Sequence, residues 1–129
     1  ICAILDDAQL KEYLAICDGL GLSALVEAHD DAEVDRALAA GARILGVNNR
    51  NLGTFHTEIE NSFRLAEAMQ TVTREKGLSP LLVSESGISV TATVAKLRKA
   101  GFRGFLIGET FMKTDKPGDT LAQFIGGLS

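Results

Sequence analysis

Four polar clusters break up a chain otherwise built of apolar runs. Glu27 follows Ala24-Leu25-Val26, and Asn48-Asn49-Arg50-Asn51 follows Ile44–Val47. Glu85, Ser86 and Gly87 lie at the end of the run that starts at Leu81, and Gly108, Glu109 and Thr110 follow Phe105–Ile107. Each cluster offers its own chemistry. A carboxylate at the mouth of an apolar cavity has its charged form disfavoured by desolvation, so Glu27 is the candidate acid/base for proton transfer near neutral pH. Its bland alternative is a salt-bridged structural glutamate. Arg50 presents a planar fork to a carboxylate ligand, or is a solvated loop cation. Asn48 either hydrogen-bonds a substrate or caps its own turn. Gly87 and Gly108 each stand at a strand-to-helix turn. Backbone without a Cβ can approach an anion there, and helix-start N–H groups offer it partial positive charge. Each glycine also serves a tight turn. His29 has no partner at metal-ligand spacing and reads as a turn or cap residue just outside the site.

The apolar runs must position these groups. Ile1–Leu5 has no helical period and is stopped by Asp6-Asp7, so it is expected as a buried strand. Asp6 with Gln9 is a capping-box pattern, and Leu10, Tyr13, Leu14, Cys17 and Leu20 give one helical face. Further strands are expected at Ser23–Ala28, Ala42–Val47, Leu81–Val83 and Gly104–Ile107. Helical stripes fall between them at Val34/Ala37/Leu38, Ile59/Phe63/Ala66/Met69 and Val90/Val94/Leu97, with a short helix after Pro117-Gly118. Alternation without hairpin turns gives an α/β class with parallel βα units, and strands apolar on both faces fit a sheet covered on both sides. In such folds the carboxyl ends of the strands carry the site. The long connection Asn48–Thr57 is therefore read as a functional βα loop rather than a domain boundary.

Composition narrows the function classes. At 129 residues the chain is one domain, 1–129, and short for a complete α/β barrel, which takes about 250 residues. A net charge of −4 with scattered basic residues argues against a nucleic-acid or anionic-membrane surface. Cys2 and Cys17 show no CxxC or Cys/His spacing and read as buried thiols in a reducing, cytoplasmic compartment. No apolar run approaches the roughly 18 residues of a membrane span. The chain starts without Met inside an apolar run, so barrel strands preceding Ile1 are expected to be absent from this sequence.

LVEAHD (25–30), a glycine followed by VNNRNL (46–52), VSESGI (83–88) and IGETFM (107–112) resemble, in order and spacing, the strand-end motifs of indole-3-glycerol phosphate synthase. The resemblance covers the whole chain from about the family's fourth strand onward. It implies the C-terminal part of a (β/α)8 TIM barrel with five of eight strands present. It also implies a carbon–carbon lyase of tryptophan biosynthesis that needs no cofactor or metal. That enzyme closes the ring of 1-(2-carboxyphenylamino)-1-deoxyribulose 5-phosphate with loss of carbon dioxide and water. By position, Glu27 resembles the catalytic glutamate, Asn48 the substrate-binding asparagine, and Arg50 the arginine near the anthranilate carboxylate. Glu85 and Ser86 match a substrate-binding pair, and Gly87, Gly108 and Glu109 fall where the family holds the phosphate. The family's lysine general acid has no counterpart here, so the 129 residues alone are expected to be inactive. The missing strands would come from the rest of a parent chain or be replaced by edge-mediated self-association. The alternatives are another sugar-phosphate barrel enzyme of isomerase type and a non-catalytic phosphate-binding half-barrel.

Overall fold

The computed structural model describes residues 1–128. A 3-10 turn, Cys2–Ile4, precedes α1 (Asp7–Gly19), β1 (Leu25–Ala28), α2 (Asp31–Ala39), β2 (Ile44–Asn48) and α3 (Glu60–Lys76). Then come β3 (Leu81–Glu85), α4 (Thr91–Lys99), β4 (Gly104–Leu106), α5 (Glu109–Met112) and α6 (Pro117–Gly126). The strands form one parallel sheet in chain order, β1-β2-β3-β4. Consecutive parallel strands with a helix after each are an arc of a (β/α)8 barrel.

One expected strand is not there. Ile1–Leu5 forms the 3-10 turn instead, so the arc has four strands rather than five. Arg36 of α2 explains the change. Its guanidinium donates to the Cys2 carbonyl at 3.1 Å and to the Leu5 carbonyl, while Nε donates to Asp7 at 2.6 Å. Carbonyls that could have joined a ladder beside β1 are thus taken by a side chain. Cys2 is fully buried, and burial, then the nearby Glu33 carboxylate, pushes its thiol up.

Capping follows the sequence. Asp6 accepts from the Gln9 N–H at 2.8 Å while the Gln9 side chain accepts from the Asp6 N–H at 3.0 Å. Asp30 accepts from the Glu33 N–H at 2.9 Å. The expected α1 stripe is only partly used: Leu10 is buried, but Tyr13 and Leu20 are exposed. Period-two alternation places Val26, Ala28, Leu45, Val47, Leu82 and Phe105 on the helix-covered face. They pack against Val34, Leu38, Leu65, Met69, Val94 and Leu97 of the helices. Each fully buried side chain of this size contributes about 1.5–3 kcal/mol. The opposite face presents Leu25, Leu81 and Leu106, which are 39%, 46% and 54% exposed; this is the face a barrel turns inward.

Candidate active site

Glu27, Asn48, Arg50, Glu85, Ser86, Gly87, Gly108 and Glu109 all line one cavity of about 390 Å³ at the carboxyl ends of the strands. They meet there because parallel strands in adjacent register end at the same height: Glu27 pairs with Gly46, and Asn48 with Glu85; Glu27 and Asn48 also border a second cavity of about 230 Å³. Lys113, which sequence reasoning did not single out, also borders the cavity. His29 stands behind it, with Nδ1 at 2.8 Å from the Asn48 carbonyl.

The polar groups hold each other in place. The Asn48 side-chain oxygen accepts from the Arg50 N–H at 3.0 Å and from the Ser86 hydroxyl at 3.1 Å. Arg50 Nη2 donates to Glu109 at 2.8 Å, joining the β2 loop to the start of α5, and its Nε donates to Thr57 at 3.2 Å. The Arg50–Glu109 pair is exposed at both ends, so it contributes little to stability and leaves the guanidinium free to exchange partners. Thr110 donates to the Ile88 carbonyl at 2.6 Å, tying the two glycine turns together. Ser86 and Gly87 both have left-handed φ, +69° and +75°. Such a conformation costs a serine of order 1 kcal/mol and persists only where surrounding bonds impose it.

Asn49 imposes it, and the sequence reading passed over this residue. It is 1% exposed and fully bonded. Its amide N donates to the Ser86 carbonyl at 3.0 Å and to Ser84 at 3.2 Å. Its amide O accepts from the Ser62 N–H at 3.0 Å and hydroxyl at 2.8 Å. One side chain thus locks the end of β3 to the start of α3. The available signal was strand alternation: Asn48 and Arg50 share the cavity face, which turns Asn49 under the helices. Asn49→Ala should destabilise the protein by roughly 3 kcal/mol, because buried partners lose their bonds, as a denaturant titration would show.

Glu85 is the other unusual group. It is 2% exposed, and its Oε1 is buried without a hydrogen-bond partner. Burial, then the charge of Glu27, then a hydrogen bond with Glu27, push the Glu85 carboxyl up to about 7. A buried carboxyl oxygen that no donor faces disfavours the charged form, in the same direction as the raised value. The sequence placed the desolvated carboxyl at Glu27; the carboxyl that the fold buries is Glu85, while Glu27 stays half-buried. Between the ordinary value of 4.5 and about 7, the folded chain keeps a proton that the unfolded chain has released. Stability should accordingly fall as pH rises through this window, by up to roughly 3 kcal/mol, with the full contribution present below it. Unfolding free energies measured from pH 4 to pH 8 should show this slope, and Glu85→Gln should flatten it.

Among the described residues no three His, Cys, Asp or Glu side chains are grouped to hold a metal ion, and no helix is long and apolar enough to cross a membrane. A solved structure described as "Native KDPGal structure" superposes with a TM-score of 0.62 at 14% identity, covering 96% of this chain and 52% of that one. That likeness speaks for the barrel fold alone. Closer relatives carry the name indole-3-glycerol phosphate synthase. The protein of Ruminiclostridium cellulolyticum is 50% identical over 126 residues, 98% of this chain and 46% of the relative. That of Bacteroides thetaiotaomicron is 47% identical over 128 residues, 99% of this chain and 46% of the relative. The chain thus spans less than half the length of these relatives. The model of the indole-3-glycerol phosphate synthase family matches residues 1–124. With that match across nearly every residue, and the strand-end groups gathered in one cavity, the chain belongs to the indole-3-glycerol phosphate synthase family.

Proposed function

We propose that this chain supplies the C-terminal part of a lyase active site that converts 1-(2-carboxyphenylamino)-1-deoxyribulose 5-phosphate to indole-3-glycerol phosphate. The reaction joins the ring carbon bearing the carboxylate to the sugar's carbonyl carbon, whose oxygen takes a proton. Carbon dioxide leaves with its bonding pair directed into the ring. The new hydroxyl then departs as water while a base removes a proton from the neighbouring carbon. Glu27 serves as that base in this reading, poised beside a carboxyl that holds its own proton. Arg50 receives the anthranilate carboxylate, exchanging Glu109 for it. Asn48, Glu85 and Ser86 hold the sugar's oxygens. The backbone N–H groups of the Gly87 and Gly108 turns, with the Glu109 N–H at the start of α5, cradle the phosphate, and the enzyme works in the cytoplasm.

The observation that carries this reading is the convergence of all eight groups on one cavity large enough for a sugar phosphate. The complete enzyme containing this chain, incubated with the anilino sugar phosphate, should develop indole fluorescence together with stoichiometric carbon dioxide. Binding of substrate with no product would remove the proposal and leave a phosphate-binding barrel.

A further inference from the structure

We infer that Gly46 is a positioning residue: the gap it leaves in β2 lets the Glu85 side chain of β3 cross to Glu27 of β1, so that the two carboxyls share one proton. Gly46 sits between them by register, paired with Glu27 on one side and Val83 on the other, two residues before the Asn48–Glu85 pair. A Cβ placed on Gly46 would lie 2.4 Å from Glu85 Oε1 and 2.9 Å from its Cδ, closer than any real contact. Its φ is not in the left-handed region, so the backbone itself does not call for glycine. What the missing side chain makes room for is the Glu85 carboxyl. Glycine inside a strand is otherwise a weakness, at a cost of about 0.5–1 kcal/mol relative to alanine.

The consequence is a division of labour. With Glu85 buried and the Glu27 charge directed at it, the Glu85 carboxyl gives up its proton only at raised pH. The proton kept on Glu85 orients the Glu27 carboxylate, which is left as the acceptor for a proton from substrate. The surrounding charges act more weakly. Arg50 from the β2 loop is engaged by Glu109 of α5, and Lys113 borders the cavity beyond α5. His29, Asp30 and Glu33 line a second cavity that Glu27 also borders, and the Ile1 amino group opposes the upward shift. β4 contributes only Leu106 to the cavity's lining.

The catalytic part of this inference rests on the function proposed above, whereas the shared proton does not. The test therefore uses readouts with and without substrate, on the complete enzyme. Infrared spectroscopy should show a protonated carboxyl that titrates near pH 7 in the parent and is lost in Glu85→Gln. Gly46→Ala should move that titration down by about one unit or more as the pair is forced apart, and shift the acidic limb of the kcat/KM profile with it. In a double-mutant cycle the stability cost of Gly46→Ala should shrink in the Glu85→Ala background, leaving only the milder approach to Leu25 at 3.2 Å. If Gly46→Ala alone fails to fold, the double variant should fold. An unchanged carboxyl titration in folded Gly46→Ala, or a double variant no better than the single one, would overturn the inference. Failure of turnover with an intact infrared titration would overturn the proposed function and leave the proton-sharing pair standing.

Discussion

Glu27→Gln in the complete enzyme should lower turnover by at least about 100-fold while leaving KM within a small factor of the parent value. The carboxamide keeps the shape of the carboxylate and one acceptor oxygen, so the β1 backbone and the cavity wall are not disturbed. It loses the ability to take a proton. It also removes the Glu27 charge that raises the Glu85 carboxyl, so Glu85 loses part of its hold on a proton. Steady-state assays that follow indole fluorescence separate the two parameters. A comparable loss in KM instead of kcat would mean that Glu27 binds substrate and moves no proton.

Gly87→Ala should act on the other parameter. Gly87 has a φ of +75°, which an alanine adopts at a cost of about 1 kcal/mol. Its new Cβ would lie 2.8 Å from the Thr57 methyl group, at the strand-like bridge where Thr57 meets Arg50. The turn or the Thr57 side chain must therefore shift, and under the proposed function a displaced turn carries its N–H groups away from the phosphate. Loss of one charge-assisted hydrogen bond, worth about 1.5–3 kcal/mol, corresponds to a KM raised roughly 10- to 100-fold. Turnover at saturating substrate should change much less. A kcat loss equal to the KM change would place Gly87 in the chemistry rather than in phosphate binding.

That these two residues stand at strand ends on one cavity was legible before any coordinates, because the physics that marks such ends is local. An apolar run stopped by a carboxylate, or by hydroxyls and a glycine, is an unusual way to end a strand, and parallel topology then gathers such ends together. Where the deciding interaction is non-local, the sequence was silent. ICAIL has the composition of a strand, yet Arg36, far along the chain, claims its carbonyls and curls it into a 3-10 turn. The NNR triplet announces polar chemistry, but only alternation along β2 tells that Asn48 enters the cavity and Asn49 turns beneath α3. Gly46 carried no signal beyond being a glycine in a strand. Its meaning depends on a side chain from β3 crossing β2 toward β1. The acid/base argument suffered the same way: desolvation was expected at Glu27, but packing that the sequence does not show buries Glu85 instead.

The decisive measurement is an amide NMR titration of the complete enzyme with indole-3-glycerol phosphate. The N–H signals of Gly87 and Gly108 should move together at one binding constant, accompanied by the side-chain signal of Asn48. Gly41 and Gly101, which precede β2 and β4 at the other end of the sheet, should stay still. Shifts at Gly41 and Gly101 with none at Gly87 or Gly108 would contradict a phosphate held at the carboxyl ends of these strands.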